Sequence, residues 1–437
     1  MAAPPAEGRE WVASWATSIQ GAYIAPVNPL PGYVPPYEAN PDLRFALPRG
    51  TASGAQNQTM RMIIAPDLWG DTVRIRFSNT YGASPLHIQA ATVGLQEKQS
   101  LIVQGTLTKL SFGHRPAVEV PVGQTLLSDP VHLAFVNDVT RPLLAGRNLA
   151  VSFAIAGSSG PLSVHNEAYR TSYISPPGAG DVTGDTSDTN YPYSTLSTFV
   201  VSELDVQADD DTLVVCALGD SITDGTFSTT NGSDRWSDAL SIRLHRLLGD
   251  HVSVVNAGIG GNTVQGSLNS PPATERLDRD VLSLAGLRIV AWLEGSNDIG
   301  GLQATPQAVE AGYVNVVHRL HAHGVGVVGL TLTSARPPGG VVPANSPLLS
   351  ESAAFAALYA SAHYDADRRE LNAYIKTSGL FDLVADIATA TTDPATGSTY
   401  ERFVPNSDGS AGDYLHLNRA GYQVIADTIV KMEKLGY

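Results

Sequence analysis

Residues 213–225 read LVVCALGDSITDG, an apolar run that stops at Gly219 and gives way to Asp220, Ser221 and then Asp224. A buried strand that ends on a small hydroxyl between carboxylates admits two readings. In the first, Asp220 and Ser221 cap the next helix by accepting hydrogen bonds from its free N–H groups. In the second, Ser221 is a nucleophile. The choice between them depends on what the rest of the chain supplies.

Downstream, the runs LVVCAL, VSVVNA, RIVAWLE, VGVVGLTL and LFDLVAD have no polar face, the pattern of parallel strands covered on both sides. Between them lie helical candidates: RWSDALSIRLHRLLG, TPQAVEAGYVNVVHRLHAHG and one continuous stretch from Leu349 to Gly379. This alternation predicts right-handed crossovers and a three-layer α/β/α unit with a parallel sheet. Ligands of such sheets bind beyond the carboxyl ends of the strands, and Ser221 stands at that end of LVVCAL.

Upstream the period changes to two. In TVRIRFSN, Val73, Ile75 and Phe77 share one face and Arg74 and Arg76 the other, and VEVPV and NLAVSFAIAG continue in kind. Half-buried strands without intervening helices predict an antiparallel β-sandwich, jelly-roll-like, over residues 1–206. The acidic QADDD at 207–211 marks the expected boundary, with the α/β unit over 207–437. Trp11 and Trp15 are expected on one strand face, in the core. The Pro- and Tyr-rich segment 21–50 is not expected to form a helix or a central strand. It reads as an ordered loop, either a solvent-facing brace between the domains or a wall beside Ser221.

At 437 residues the chain has length for two domains, and its 43% hydrophobic and 16% charged residues suit a packed globular protein. A net charge of −15 repels phosphate backbones and anionic headgroups, so nucleic acid is not an expected partner. No apolar run is long enough to span a bilayer, so stable membrane insertion is not expected either. The opening MAAPPAEGREWVASW has no basic or apolar leader region; its Ala/Pro character is that of a mature exported protein, which points to a secreted or periplasmic location. Cys216, the single cysteine, has no partner for an intramolecular disulfide and reads as a small apolar strand residue. Neither His318, His321 and His323 nor Asp181, Asp185 and Asp188 follow a zinc or calcium pattern, so no metal and no cofactor is expected.

A serine nucleophile needs a base, and the base needs a group that holds its tautomer. Asp413 precedes His416 by three residues in GDYLHLN, close enough for the carboxylate to reach one imidazole nitrogen. An oxyanion needs hydrogen-bond donors. NAGIGGN at 256–262 offers backbone N–H groups unobstructed by Cβ atoms, with Gly261 the candidate and Gly258 or Gly260 as alternatives. EGSND at 294–298 offers the Asn297 side-chain amide. Asp220, Asp224 and Asp298 read as capping or network residues.

GDSITDG, NAGIGGN, EGSND and DYLHLN, in this order, resemble the four blocks of the SGNH superfamily, the GDSL esterases and lipases. The first block has Ile where the family commonly has Leu, one apolar residue for another. The resemblance implies a flavodoxin-like hydrolase domain in which Ser221 is the nucleophile, His416 the base and Asp413 its orienting acid. It implies an oxyanion hole made by the N–H groups of Ser221 and Gly261 and the amide of Asn297. Residues 57–88 resemble, more loosely, the β-rich domain that precedes the hydrolase in a subset of exported members. The expected function is hydrolysis of carboxylic esters, with short acyl chains preferred, on a small-molecule or glycan ester. A carbohydrate O-acetyl esterase and an inactive SGNH-fold binding protein are the alternatives.

Overall fold

The computed structural model describes residues 8–21, 42–268, 270–346, 353–406 and 411–430. They fall into two compact units, one running to Thr212 and including Leu284–Gly286, the other formed by the remaining described residues from Leu213 on. The strand Val201–Asp209 runs into the acidic QADDD stretch, and the division comes after it, between Thr212 and Leu213.

The first unit is antiparallel and β-rich. One sheet places Arg9–Ala16, Val201–Asp209, Thr72–Ser78 and Thr125–Leu127 side by side, and a larger sheet is built around Gln56–Ile64, Leu149–Ser158 and Leu86–Lys98. Val73, Ile75 and Phe77 are buried as their alternation predicts, and Phe77 packs edge-on against Phe112 and Phe153 at 5.4 and 5.8 Å between ring centroids. The other face of the same strand is no plain solvent face. Arg74 and Arg76 reach across to Asp205 and Glu203 at 2.7 and 2.9 Å, and both carboxylates are buried.

Two expectations for this unit are corrected. Trp11 and Trp15 are only half-buried, while Val12, Ala13 and Ala16 enter the core. A register shift between Ala13 and Trp15 breaks the strict alternation on which the expectation rested, and Trp11 instead lies under the Arg74 guanidinium, 4.5 Å from it. Within segment 21–50, residues 22–41 lie outside the described residues, but Leu43–Ala46 form one helical turn that buries Leu43 and Ala46. This turn lies between Pro41 and Pro48, where nothing blocks it.

In the second unit we label the elements in chain order. The strands are β1 (Leu213–Gly219), β2 (Val252–Gly258), β3 (Leu287–Leu293), β4 (Gly326–Leu330) and β5 (Leu383–Ala385). The helices used below are α1 (Ser221–Asp224), α2 (Trp236–Leu248), α3 (Ala273–Leu277), α4 (Ser296–Gly300), α5 (Pro306–Ala322), α6 (Ala353–Tyr359), α7 (Ala362–Thr377) and α8 (Arg419–Val430). All five strands pair in parallel in the order β2-β1-β3-β4-β5, the order of flavodoxin-type sheets, whose ligand crevice lies where the winding reverses, beside β1. Val214, Cys216, Ala217 and Leu218 are fully buried, which is why this strand reads as a solid apolar run. The single helix expected over 349–379 is two, α6 and α7. Ser361 interrupts it, because its side chain accepts the Tyr364 N–H and so starts a new helix. No described helix is long and apolar enough to cross a membrane.

Candidate active site

The capping reading of the opening stretch holds for Asp220 and not for Ser221. Asp220 is the cap: its backbone is extended and its carboxylate accepts the Ile222 N–H at 3.0 Å. Ser221 is then the first residue of α1, with Oγ 2.7 Å from His416 Nε2. At the head of a helix its own N–H has no intrahelical acceptor, and among the described residues it donates to nothing.

The histidine and aspartate come from one turn. His416 Nδ1 lies 2.5 Å from Asp413 Oδ2, while Asp413 Oδ1 accepts the N–H groups of Leu415 and His416 at 3.1 and 2.9 Å. One carboxylate therefore shapes the turn with one oxygen and fixes the imidazole with the other. Tyr414, between them, takes a left-handed φ of 58° to let the chain fold back. Both groups are buried, so the pair is poorly screened by solvent. Phe227 sets its ring edge-on against His416, 5.7 Å between centroids, yet remains 39% exposed and holds a φ of 65°. Strain of this kind in a non-glycine residue tends to gather at functional sites.

Of the three candidate glycines, two have spent their amides. Gly258 N–H donates to Asn256 Oδ1 at 2.8 Å and Gly260 N–H to Asp224 Oδ2 at 3.1 Å. Gly261, at φ 72°, donates to no described residue. Asn297 is held at both ends of its amide. Tyr359 Oη donates to Oδ1 at 2.7 Å, which fixes the orientation of the amide, and Nδ2 donates one hydrogen to the Asn262 carbonyl at 2.8 Å. The second Nδ2 hydrogen has no acceptor among the described residues.

Asp224 and Asp298 hold loops, as expected: Asp298 accepts the N–H groups of Val264 and Gln265 at 2.9 and 3.1 Å. The histidines near the end of α5 serve local contacts, His321 to Asp382 and His323 to the Arg319 carbonyl. Asp181 and Asp185 close turns on Thr183 and Ser187. Three residues with a bearing on the site, Phe227, Arg276 and Tyr359, carry no signal in the sequence. Each is an ordinary residue of a loop or helix until the fold sets it beside its partner.

Near Ser221 several acids are buried and hold their protons to higher pH than usual. Burial lifts Asp220 to about 6 against the hydrogen bond from Ile222, Asp298 to about 7 against those from Val264 and Gln265, and Glu294 to about 8 in spite of Arg276. A carboxyl raised in the folded state binds a proton that the unfolded chain has already released. Its contribution to stability is therefore full below the unfolded value near 4 and is lost as pH rises through the folded value. The melting temperature is expected to fall as pH rises from about 4 to 8, and Glu294→Gln, which cannot ionise, should flatten that fall. Equal slopes for variant and wild type in melts across this range would show that Glu294 does not titrate there.

A parallel sheet with a hydrogen-bonded serine, histidine and aspartate at its carboxyl edge defines an SGNH-type hydrolase fold. Residues 217–424, within the second unit, match the GDSL-like Lipase/Acylhydrolase family, a family of ester-bond hydrolases. Among solved structures it is similar to a member of the lipolytic protein G-D-S-L family from Veillonella parvula, at 19% identity over 52% of this chain and 100% of that one, with a TM-score of 0.35. It is also similar to a GDSL-like lipase from Bacteroides thetaiotaomicron, at 15% identity over 51% and 88% of the chains with a TM-score of 0.35. A carbohydrate acetylesterase family member from Sinorhizobium meliloti matches at 15% identity over 51% and 98%, with a TM-score of 0.37. No curated protein matches the chain.

Proposed function

We propose that the protein is a serine carboxylic-ester hydrolase acting on short-chain acyl esters without a cofactor. Ser221 Oγ bonds the acyl carbon as His416 Nε2 takes its proton, and the carbonyl oxygen becomes an anion. The N–H groups of Ser221 and Gly261 and the free Nδ2 hydrogen of Asn297 receive that anion. Collapse expels the alcohol, which leaves with the proton from His416. Water, deprotonated by the same imidazole, then releases the acid from the serine. Asp413 stays ionised and keeps Nδ1 protonated. The observation that carries this reading is the unbroken hydrogen-bonded line from Asp413 through His416 to Ser221. A binding protein that had lost its activity would have no need of it.

The layer descriptions belong to the same proposal. The packing of α2 with α8 and, separately, of α5 with α7 suits helices on both faces of the parallel sheet. The contact of Phe77 with Phe153, from two antiparallel sheets, suits a sandwich.

Short acyl chains are favoured because the Phe227 ring fills space beside His416. A series of p-nitrophenyl acetate, butyrate and octanoate tests this: kcat/KM is expected to drop about tenfold or more from butyrate to octanoate, and Phe227→Ala should narrow the drop. A flat series, or one unchanged by the variant, would remove the short-chain part. Turnover of acetylated xylan well above that of the aryl acetate would instead mark a carbohydrate O-acetyl esterase.

A further inference from the structure

Arg276, on α3, is a cation with its side chain wholly out of solvent. Its hydrogen bonds go mainly to uncharged oxygens. Nε donates to Asn262 Oδ1 at 2.7 Å, one terminal nitrogen to the Ala257 carbonyl at 2.8 Å, and the other to the Gly219 carbonyl at 3.1 Å. Asp280 and Glu294 stand further off, at 3.5 and 3.8 Å. Burying a charge costs heavily unless its hydrogen bonds are met, and here they are met by the backbone ends of two neighbouring strands.

These oxygens are placed with respect to the site. Gly219 ends β1, two residues before Ser221. Ala257 lies in the last turn of pairing of β2. Asn262 directly follows Gly261, and its carbonyl receives the Asn297 amide. The planar fork of guanidinium reaches three directions at once, which an ammonium on a flexible stem does not. A single side chain therefore joins the segment carrying the Ser221 N–H to the loop carrying the Gly261 N–H, and through Asn262 to Asn297.

We propose that Arg276 is a positioning residue for the oxyanion donors, holding the three at the mutual spacing the transition state requires. This rests on the reading of Ser221, Gly261 and Asn297 given under the proposed function. Arg276 touches no reacting atom. Its effect is on the chemical step, because donors displaced by a fraction of an ångström still admit substrate but meet the developing anion poorly. The rival is a purely structural pin, whose loss would lower stability without a specific effect on turnover.

Three variants separate the two. Arg276→Lys keeps the charge and loses the fork. Arg276→Gln combined with Glu294→Gln removes cation and neighbouring acid together, so that neither is left buried alone. Asn262→Ala leaves Arg276 on both strands and cuts its hold on the Gly261 loop, together with the Asn262 Nδ2 bonds to Ser270 Oγ and the Pro271 carbonyl. With p-nitrophenyl acetate, the first two are expected to lose about 100-fold in kcat and the third about tenfold, with KM within about twofold of wild type. Affinity for a boronic acid that mimics the tetrahedral adduct should fall in step with kcat.

Wild-type kcat in any of the three that melts cooperatively overturns the proposal, and Asn262→Ala decides it if the arginine variants do not fold. Should Asn262→Ala fail to fold as well, the milder Asn262→Asp, which keeps an oxygen acceptor for Arg276, is expected to hold kcat within about threefold of wild type, and a loss of about 100-fold in that folded variant overturns it. The underlying reading is tested apart from this, on the wild-type protein. A fluorophosphonate probe that abolishes turnover while leaving Ser221 unmodified would sink the reading itself, whatever the variants do.

Discussion

Ser221→Ala is expected to lower kcat on a soluble acetate ester by roughly 10⁴-fold or more, the scale on which removal of a serine nucleophile acts, while leaving the melting temperature within a few degrees of wild type. The size of the loss follows from the geometry. His416 Nε2 stands 2.7 Å from Oγ, so the substitution removes the hydroxyl that the imidazole addresses. Stability is spared because the cap of α1 belongs to Asp220 and not to the serine. Only the α1 backbone depends on residue 221, and alanine is the best helix former of all. Turnover near the wild-type rate in a folded Ser221→Ala protein would end the serine mechanism.

His416→Ala is expected to cost about as much as loss of the serine, and Asp413→Asn less. An asparagine at 413 can still accept the Leu415 and His416 N–H groups through Oδ1, so the turn and the imbedded imidazole persist. What is lost is the carboxylate opposite Nδ1. The amide would offer its own hydrogens there and favour the wrong imidazole tautomer, so the loss is still expected to exceed about tenfold. Measured side by side as kcat on one ester, a greater loss in Asp413→Asn than in His416→Ala would mean that the base has been misassigned.

The site was legible in the sequence to the extent that its chemistry is local. GDSITDG, NAGIGGN, EGSND and DYLHLN each place a functional group within a few residues of a strand end or helix start, and the composition of such turns is dictated by their backbone. Asp413 and His416 meet because they are three residues apart. Arg276 meets Gly219 across 57 residues and Tyr359 meets Asn297 across 62. A lone arginine or tyrosine in a helical segment gives no sign of such a reach.

The fold divides in the same way. The five parallel strands were legible because burial on both faces removes every polar residue from them. The break at Ser361 was not, because a serine inside a helical pattern reveals a cap only where the backbone actually turns. Nor was the register shift after Ala13, which moves the two tryptophans without leaving any mark in an alternating pattern.

Ser221 and His416 are separated by 195 residues, and the helix after His416, α8, is anchored on α2 by Arg243, which reaches Asp427 and Gln423. During synthesis Ser221 therefore leaves the ribosome long before the imidazole it meets in the fold. A nascent chain carrying Ser221 has an ordinary, unreactive hydroxyl until the segment through His416 has emerged and docked. On the proposed mechanism, the return of turnover after dilution from denaturant would therefore time the docking of α8 rather than the collapse of the sheet.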